Sequence, residues 1–348
     1  MSDLPQDIQR TRLYHHAVTN GNTPSLKETL KEWFYAINFL KHKEAIGAST
    51  WLAHYLFSAT VGIILLLSNF KLSSLLYITG FLLLMAQFFH TFWYHRYCSH
   101  KAFKFRAKAI PFIIQWLNPL LIKEEIYVLP HYIHHKLSDK PEDPYGPHLG
   151  PTASFLASES QHYFNRNMRE RTFKQCQKLL NHIPSMWSSQ SQFQATGSFE
   201  KIWLYPLRLI LVNFFWICFF VYVIKSPQML GAWYISVFLS ITILRDFNYR
   251  GHDEEIEPEG KIDKKSLAVN SWFYGYFASE WHDNHHRFSS SARCGFKRFE
   301  LDLSFLITVL LKKIGLIENY IDSSSSFARE NSRLRSQPTK TSASGSSK

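Results

Sequence analysis

Histidines gather at three places in this 348-residue chain: His95 and His100 in HRYCSH, His131, His134 and His135 in HYIHH, and His282, His285 and His286 in WHDNHH. Imidazole is the commonest neutral side-chain ligand for zinc, copper, iron and nickel, so these clusters point to a metal site. A zinc site uses about four ligands, and a catalytic one about three from the protein. Eight histidines exceed the needs of one ion, and two metals is the economical count. In HxxHH the first histidine lies three and four residues from the others, so on a helix all three are expected to face one side and converge on one point. HxxxxH puts His95 and His100 on different sides of an α-helix, which suits ligands reaching different metals or a helix that ends between them. His15, His16, His42, His148, His162 and His182 lack such partners and read as solvated. His54 and His90, in apolar runs, read as hydrogen-bonded core histidines.

The surrounding sequence says what must position these clusters. The chain is 46% hydrophobic and 16% aromatic, and its apolar residues are bunched into long uncharged runs. No charged residue occurs in the 26 positions from Ala45 to Phe70 or in the 24 from Leu72 to His95, and a bilayer crossing needs about 20 residues. A second pair follows, Ile202 to Ile224 with only Arg208 inside it and Ser226 to Leu244. Two helical hairpins are therefore expected, with spans at 49–70, 73–94, 202–224 and 227–245. The segment 109–122 carries Pro111 and Pro119 and is too short to cross, so it is read as interfacial. No apolar stretch follows a basic start within the first 40 residues, so the first span itself is expected to direct insertion.

Flanking charge sets the expected orientation. Lys41 and Lys43, then Arg96, Lys101, Lys104, Arg106 and Lys108, and later Lys201, Arg208, Arg245 and Arg250 flank the spans on one side, against Lys71 and Lys225 in the hairpin turns. The excess of Lys and Arg places both termini and the long polar segments in the cytoplasm. Much of the net charge of +12 lies on that side, where it can attract anionic headgroups. No basic aromatic motif accompanies it, so a nucleic-acid partner is not expected. All three clusters then fall on one face of the membrane, as a cap over a four-helix base; a transporter would place ligands near mid-bilayer. The domain reading is a cytosolic segment 1–48 with helical pieces around Leu26 to Leu40, a membrane and cap domain 49–321 (cap 95–200 and 246–321), and a Ser-rich tail 322–348 expected to be disordered. Cys98, Cys176, Cys218 and Cys294 show no paired spacing, as reduced cytoplasmic thiols would.

With these residues in view, the sequence resembles the integral-membrane fatty acid desaturases, the acyl-CoA (stearoyl-CoA type) branch and its bacterial relatives in particular. HRYCSH resembles their first histidine box, HYIHHKLSDKPEDPYGP the second with its trailing Asp-Pro-Tyr, and WHDNHHRFSSSARCGF the third with its trailing Ser-Ala-Arg and Gly-Phe. The likeness runs from roughly Trp51 to Leu316. It implies an all-α integral membrane protein with two hairpins under a cytosolic helical cap that holds a histidine-rich dimetal site. It also implies a ninth histidine, four residues after an asparagine that reaches a metal through water, just beyond the fourth span. Asn248 and His252 fit; the alternative, Asn270, leads only to Tyr274. The sequence departs from the family in reading Ala278-Ser279-Glu280 where Gly-Glu-Gly is usual and Asp283 where an asparagine is common, and Asp253, Glu254 and Glu255 after His252 are also unusual.

The implied cofactor is a pair of irons held by His95, His100, His131, His134, His135, His252, His282, His285 and His286, with Asn248 through water. A ligating histidine gives its other ring proton to a carboxylate or carbonyl, which makes Asp139 and Asp143, trailing the second box, candidates to orient the ligands or else caps of a loop. The reaction implied is O2-dependent insertion of a cis double bond into a long-chain acyl substrate, bound to coenzyme A or lipid. Hydrogens in the middle of an alkyl chain are not acidic, so no side-chain base can remove them and an oxidising metal cofactor must. The His-Pro-Gly-Gly signature of a fused cytochrome b5 is absent, so two electrons are expected from a separate donor such as a cytochrome b5 or a ferredoxin. Trp93, Trp116, Tyr127 and Trp281 either line an acyl tunnel or anchor the protein at the interface. The expected location is a multi-pass position in a bacterial inner membrane, in preference to the endoplasmic reticulum, with the site on the cytoplasmic face. Two other readings are a diiron hydroxylase acting on lipid, against which the trailing DPY and SAR-GF elements speak, and a non-catalytic metal-binding membrane protein.

Overall fold

A computed structural model describes residues 7–8, 23–140, 142–252, 268, 270–278 and 281–336. Four helical stretches among them are long and apolar enough to cross a membrane: Lys43–Asn69, Ser73–Ser99, Leu204–Ile224 and Pro227–Arg250. The protein is a helical multi-pass membrane protein with two hairpins, as its hydropathy pattern predicts. In chain order the helices are α1 (Leu26–Ala36), α2 (Ile46–Asn69), α3 (Ser73–Leu84), α4 (Ala109–Leu117), α5 (Glu124–Leu137), α6 (Gly150–Ser160), α7 (Glu170–Leu180) and α8 (Gln190–Thr196). They continue as α9 (Leu204–Cys218), α10 (Pro227–Arg250), α11 (Trp272–Phe277), α12 (His282–Arg287), α13 (Leu303–Lys313) and α14 (Ser324–Ser336). Helices α3 and α9 continue without a break as π-helices over Met85–Ser99 and Phe219–Ile224.

The spans pack through their smallest residues. A Cβ on Gly62 of α2 would lie 2.6 Å from the backbone nitrogen of Ile235 on α10, and one on Gly231 of α10 would lie 2.9 Å from Cβ of Leu65. Glycine at both positions lets the two backbones approach more closely than any side chain would permit, the usual device where lipid supplies no hydrophobic drive between helices. Ser236 on α10 adds a hydrogen bond across to the carbonyl of Ile78 at 3.1 Å. The lipid-facing sides keep Leu67, Leu76, Phe214 and Val223 exposed.

Above the spans, one continuous core joins the aromatic end of the second span to the cap. Phe92 stacks on Phe103 with ring centres 4.6 Å apart, and Trp93 on Tyr97 at 5.1 Å. An antiparallel ribbon of β1 (Phe103–Phe105) and β2 (Ile317–Tyr320) ties the segment after the first histidine cluster to the segment after the third, a feature the all-helical expectation did not contain. Helix α4 covers part of the expected interfacial segment, with Phe112 and Ile113 exposed and Ile114 and Gln115 buried.

Several expectations need adjustment. The second span runs through Ser99 and the fourth through Arg250, so His95 and Asn248 lie on the spanning helices themselves and not in the cap. The tail is not structureless from 322: Ser324–Ser336 forms α14, whose Phe327 packs on Phe288 and Phe296. Its sequence gave little sign of this, because Phe327 is one of few apolar residues in the segment. Residues 337–348, His15 and His16, Asp253 to Glu255, and Ser279 and Glu280 lie outside the described residues.

The glycine crossing is testable. Gly231→Leu is expected to overpack α2 against α10 and destabilise the detergent-solubilised protein by about 1–3 kcal/mol or more. Gly80→Leu, where an added side chain meets nothing within 4 Å, is expected to leave the melting temperature essentially unchanged. Equal melting shifts for the two would refute the packing assignment.

Candidate metal centre

The nine histidines singled out from sequence form two groups. His95, His100, His131, His135 and His285 bring one ring nitrogen each within 4.8 Å of one another, and His134, His252, His282 and His286 do the same beside them. The division differs from the one the spacing suggested. Within each HxxHH the first and last histidines, His131 and His135 or His282 and His286, share a group, while the middle one, His134 or His285, joins the other. Residues i and i+4 sit about 40° apart around an α-helix and i+3 falls about 60° to the opposite side, so each box straddles the two groups.

His95 and His100 share a group for a different reason. The backbone between them is π-helical, and the His100 N–H donates to the carbonyl of His95 at 3.1 Å, five residues back. That wider turn stacks i and i+5, which an α-helix would separate. The π segment thus converts a spacing that looked divergent into one that converges.

The contacts inside each group test whether a metal fits. In the five-histidine group the Nε2 atoms run His95 to His285 at 3.1 Å, His285 to His135 at 2.8 Å, His135 to His131 at 3.1 Å and His131 to His100 at 2.8 Å. A neutral Nε2 carries either one hydrogen or one lone pair, so it enters one hydrogen bond and not two. Four contacts threaded through five such atoms exceed what hydrogen bonding can satisfy. In the four-histidine group the conflict is sharper. Asp143 accepts from Nδ1 of His134 at 2.8 Å, and the Asp139 carboxylate lies 2.8 Å from Nδ1 of His252. Both rings then carry their proton on Nδ1, yet their Nε2 lone pairs face each other at 3.2 Å. A cation between them removes the repulsion. Two nitrogens each about 2.1 Å from one ion and at right angles around it are about 3.0 Å apart, close to the spacing seen.

Other side chains hold these rings. The His131 Nδ1 and the Tyr145 hydroxyl are 3.0 Å apart, so the trailing Asp-Pro-Tyr supplies two orienting groups, Asp143 and Tyr145. Asp139 holds a left-handed backbone with φ of 64°, a conformation Asp tolerates better than most residues, and this aims its carboxylate at His252. Asn248 lines the cavity beside His252 and His282 without a position the structure ties to either group. The third box is fixed by Asn270, weighed above only as the alternative to Asn248, and by residues the sequence reading did not single out. Asn270 accepts from the backbone N–H of Asp283 at 3.0 Å, capping α12 from a distance, and Asn284 donates to Glu300 at 2.8 Å. Asp302 accepts from the N–H groups of Cys294 and Gly295 in the trailing SARCGF and pairs with Arg96 of the first box at 2.8 Å. Arg96, lying inside HRYCSH, was the one available signal for that link.

Burial dominates the electrostatics. It pulls the imidazoles of His131, His135, His282, His285 and His286 well below their ordinary value, with repulsion from neighbouring histidines adding to it. His100 is pushed down to about 3 by burial and the nearby Arg96. His252 is lowered by burial against the opposing pull of Asp139. These rings are therefore neutral at neutral pH, the form in which an imidazole could bind a metal.

Five of these histidines, His95, His131, His134, His252 and His282, line a cavity of about 110 Å³ together with the apolar side chains of Ile122, Ile126, Ile241, Leu244 and Phe247. Of the aromatic residues considered for an acyl tunnel, Tyr127 lines it and shares a hydrogen bond with His90 at 2.9 Å. Trp93 instead packs into the core beside Glu124, and Trp281 lies against Gly275. His54 and His90 are buried and hydrogen-bonded as expected. His162, expected to be solvated, is buried in the cavity wall, because α6 and the turn after it fold down against α2.

Comparison with known proteins agrees with these motifs. A family model described as "Fatty acid desaturase" matches residues 72–297. Similar proteins include a "Delta-9 desaturase-like 4 protein" of Arabidopsis thaliana, 23% identical over 247 residues that cover 65% of this chain and 69% of the relative. A "Hex-5-enoyl-[acyl-carrier protein] acetylenase" of Moorena producens is 22% identical over 227 residues, covering 64% of this chain and 69% of the relative. "Acyl-CoA 5-desaturase AL21" of Anemone leveillei is 23% identical over 228 residues, covering 64% of each.

Two outcomes are expected of the centre. Asp139→Ala and Asp143→Ala should each weaken metal retention by about 10–100-fold, measured as metal per protein against a graded chelator. Unchanged retention would mean the carboxylates do not orient ligands. The metal-free protein should also lose stability as pH falls below about 6.5, since the unfolded polypeptide then binds protons that the buried rings refuse until pH approaches their lower native values. A melting temperature that stays flat as pH falls through that value would contradict the neutral, buried state of these rings.

Proposed function

The chain belongs to the fatty acid desaturase family and is an oxidoreductase that desaturates acyl chains, and we propose that it inserts a cis double bond into a long-chain acyl substrate using O2, a nine-histidine diiron centre and two electrons from a separate donor protein. The observation that carries this reading is that histidines of both converging groups line one largely apolar cavity. The balance is one O2, two electrons and two protons, with two hydrogens taken from adjacent carbons, giving one C=C bond and two waters. Two irons, when bound, supply with O2 the oxidising power that no side-chain base has.

The rest falls to the protein's own residues. Ile122, Ile126, Ile241, Leu244 and Phe247 hold an alkyl chain and keep water from it. Asp143 and Asp139 fix the tautomers of His134 and His252, so that Nε2 is the free ligand atom. Asn248, three residues beyond Arg245 on the cavity side of α10, is suited to hold a water near the four-histidine group. The excess of Lys and Arg on one side of the spans supports a cytoplasmic site, within reach of a soluble or membrane-bound electron donor. A bacterial inner membrane is the location we assign. Names of the similar proteins include acyl-CoA and acyl-carrier-protein substrates, and either thioester suits a cavity of this character.

Expression in a host with a compatible electron donor, followed by gas chromatography with double-bond localisation, is expected to reveal new monounsaturated fatty acids. His134→Ala or His285→Ala should reduce them by about a hundredfold or more, as loss of a metal ligand does. Hydroxylated or unchanged products, with bound iron confirmed, would overturn the desaturase reading.

A further inference from the structure

Helix α1 carries its amphipathic pattern inside out. Thr29 and Glu32 face the protein and are 1% and 6% exposed, while Leu26 and Phe34, on a separate face with the exposed Leu30 between them, are 61% and 60% exposed. Phe39 and Leu40, in the link to the first span, are exposed as well. A surface helix of a water-soluble domain turns its apolar stripe inward and its polar side out, and a contiguous apolar patch left open marks an interaction surface. The helix is firmly started: the Ser25 hydroxyl accepts from the Glu28 N–H at 3.3 Å and the Glu28 carboxylate accepts from the Ser25 N–H at 2.9 Å, a reciprocal cap. It lies outside residues 72–297, which the family model matches.

Two hydrogen bonds fix the level at which α1 sits. The Tyr163 hydroxyl donates to the carbonyl of Ala36 at 3.2 Å, and the hydroxyl of Ser49, in the first turn of α2, donates to the carbonyl of Ile37 at 2.6 Å. Helix α2 ends at Asn69, beside the hairpin turn. About 20 residues cross the hydrocarbon, so counting back from Asn69 brings the other boundary close to Thr50 and Ser49. The C-terminal end of α1 is thus tied to the first span where hydrocarbon gives way to headgroups. Lys27, Lys31, Lys41 and Lys43 are exposed. Lys27 and Lys31 each follow a residue of the apolar stripe by one position, about 100° around the helix, where their long stems can lie along apolar surface while the charge stays with the phosphates.

We propose that α1 is an interfacial helix: Leu26, Leu30 and Phe34 insert among phospholipid acyl chains, Lys27 and Lys31 reach lipid phosphates, and the bilayer covers the face that the protein leaves open. Helices of this kind bury their apolar face about 5–10 Å into the boundary between headgroups and acyl chains. The lipid seat has a structural consequence. Helix α1 packs on α6, and Thr23, just before α1, donates to the carbonyl of His148, just before α6, at 3.2 Å. Ala157 and Ser158 of α6 line the cavity that the histidines share. Lipid that holds α1 therefore also holds one wall of that cavity.

The test is spectroscopic and needs no turnover. Full-length protein carrying Cys218→Ser, its other cysteines being buried, receives a nitroxide at Leu26→Cys, Leu30→Cys, Phe34→Cys or Lys31→Cys and is placed in nanodiscs of phosphatidylcholine and phosphatidylglycerol. Collision of each label with oxygen, which concentrates in hydrocarbon, is compared with collision with a water-soluble nickel chelate. Ile64→Cys, at an exposed position of α2, serves as the membrane reference. Labels at 26, 30 and 34 are expected to favour oxygen as the reference does, severalfold more than the label at 31, at a depth of about 5–10 Å. A chelate preference at all three equal to that at 31 would put the face in water and overturn the assignment. Shielding from both colliders would put a second copy or another protein surface there and overturn it equally. Leu30→Gln combined with Phe34→Gln, two exposed positions, is expected to raise amide exchange of residues 150–160 severalfold in the nanodisc; unchanged exchange would overturn the hold on α6.

Discussion

Mutual repulsion among buried imidazole lone pairs is the constraint on which this structure turns. Nine histidines, six of them buried and three partly so, present nitrogens to one another at spacings that their own hydrogen-bonding capacity cannot satisfy. Hydrophobic packing alone would disperse such groups, because burying a polar atom without a partner is unfavourable. Their assembly is therefore a high-energy arrangement that the remainder of the fold must hold and that a bound cation would relieve.

The holding is done by buried ion pairs as much as by apolar contact. Arg96 and Asp302 lock the first box to the loop after the third, and Asp302 gathers the backbone of Cys294 and Gly295 in the same grip. Arg208 on the third span meets Glu124 at 3.2 Å and Glu200 at 3.5 Å, while Glu125 takes Lys123 and the N–H of Phe199. Glu124 and Glu125 open the helix that carries the second box, where a helix N-terminus favours carboxylates. Buried pairs of this kind contribute little net stability compared with apolar residues of similar volume, but their geometry is demanding. They fix the rotation of each box-bearing helix, which decides which histidine enters which group.

Much of this was legible in the sequence, and the failures have particular causes. The spans were readable because uncharged apolar runs of bilayer length seldom occur outside a membrane, and the box histidines because such clustering is rare. What the spacing could not convey was local helix type. The i, i+5 pair at His95 and His100 diverges on an α-helix and converges on a π-helix, and nothing in HRYCSH announces the wider turn. The split of each HxxHH between the groups was obscured for a related reason, since treating three residues as one face ignores the angle between i+3 and i+4. Residues that orient ligands from afar, Asn270, Glu300 and Asp302, are ordinary polar residues in sequence and gain meaning only from long-range contact.

His162 shows the same limit from the other side. In sequence it is a lone histidine in a polar stretch, best read as solvated; in the fold it is buried between two cavities because Gly47 leaves room for its ring. A membrane enzyme acting on alkyl chains faces a particular difficulty, since successive methylenes are chemically alike and apolar walls can slide along them with little change in energy. Dispersion contacts do not fix register. A hydrogen bond to the one polar atom of the substrate does, because misplacing it by a single carbon leaves both donor and acceptor buried and unpaired. A cavity with smooth apolar walls therefore needs contacts to the substrate's polar atoms in order to oxidise one pair of carbons and not its neighbours.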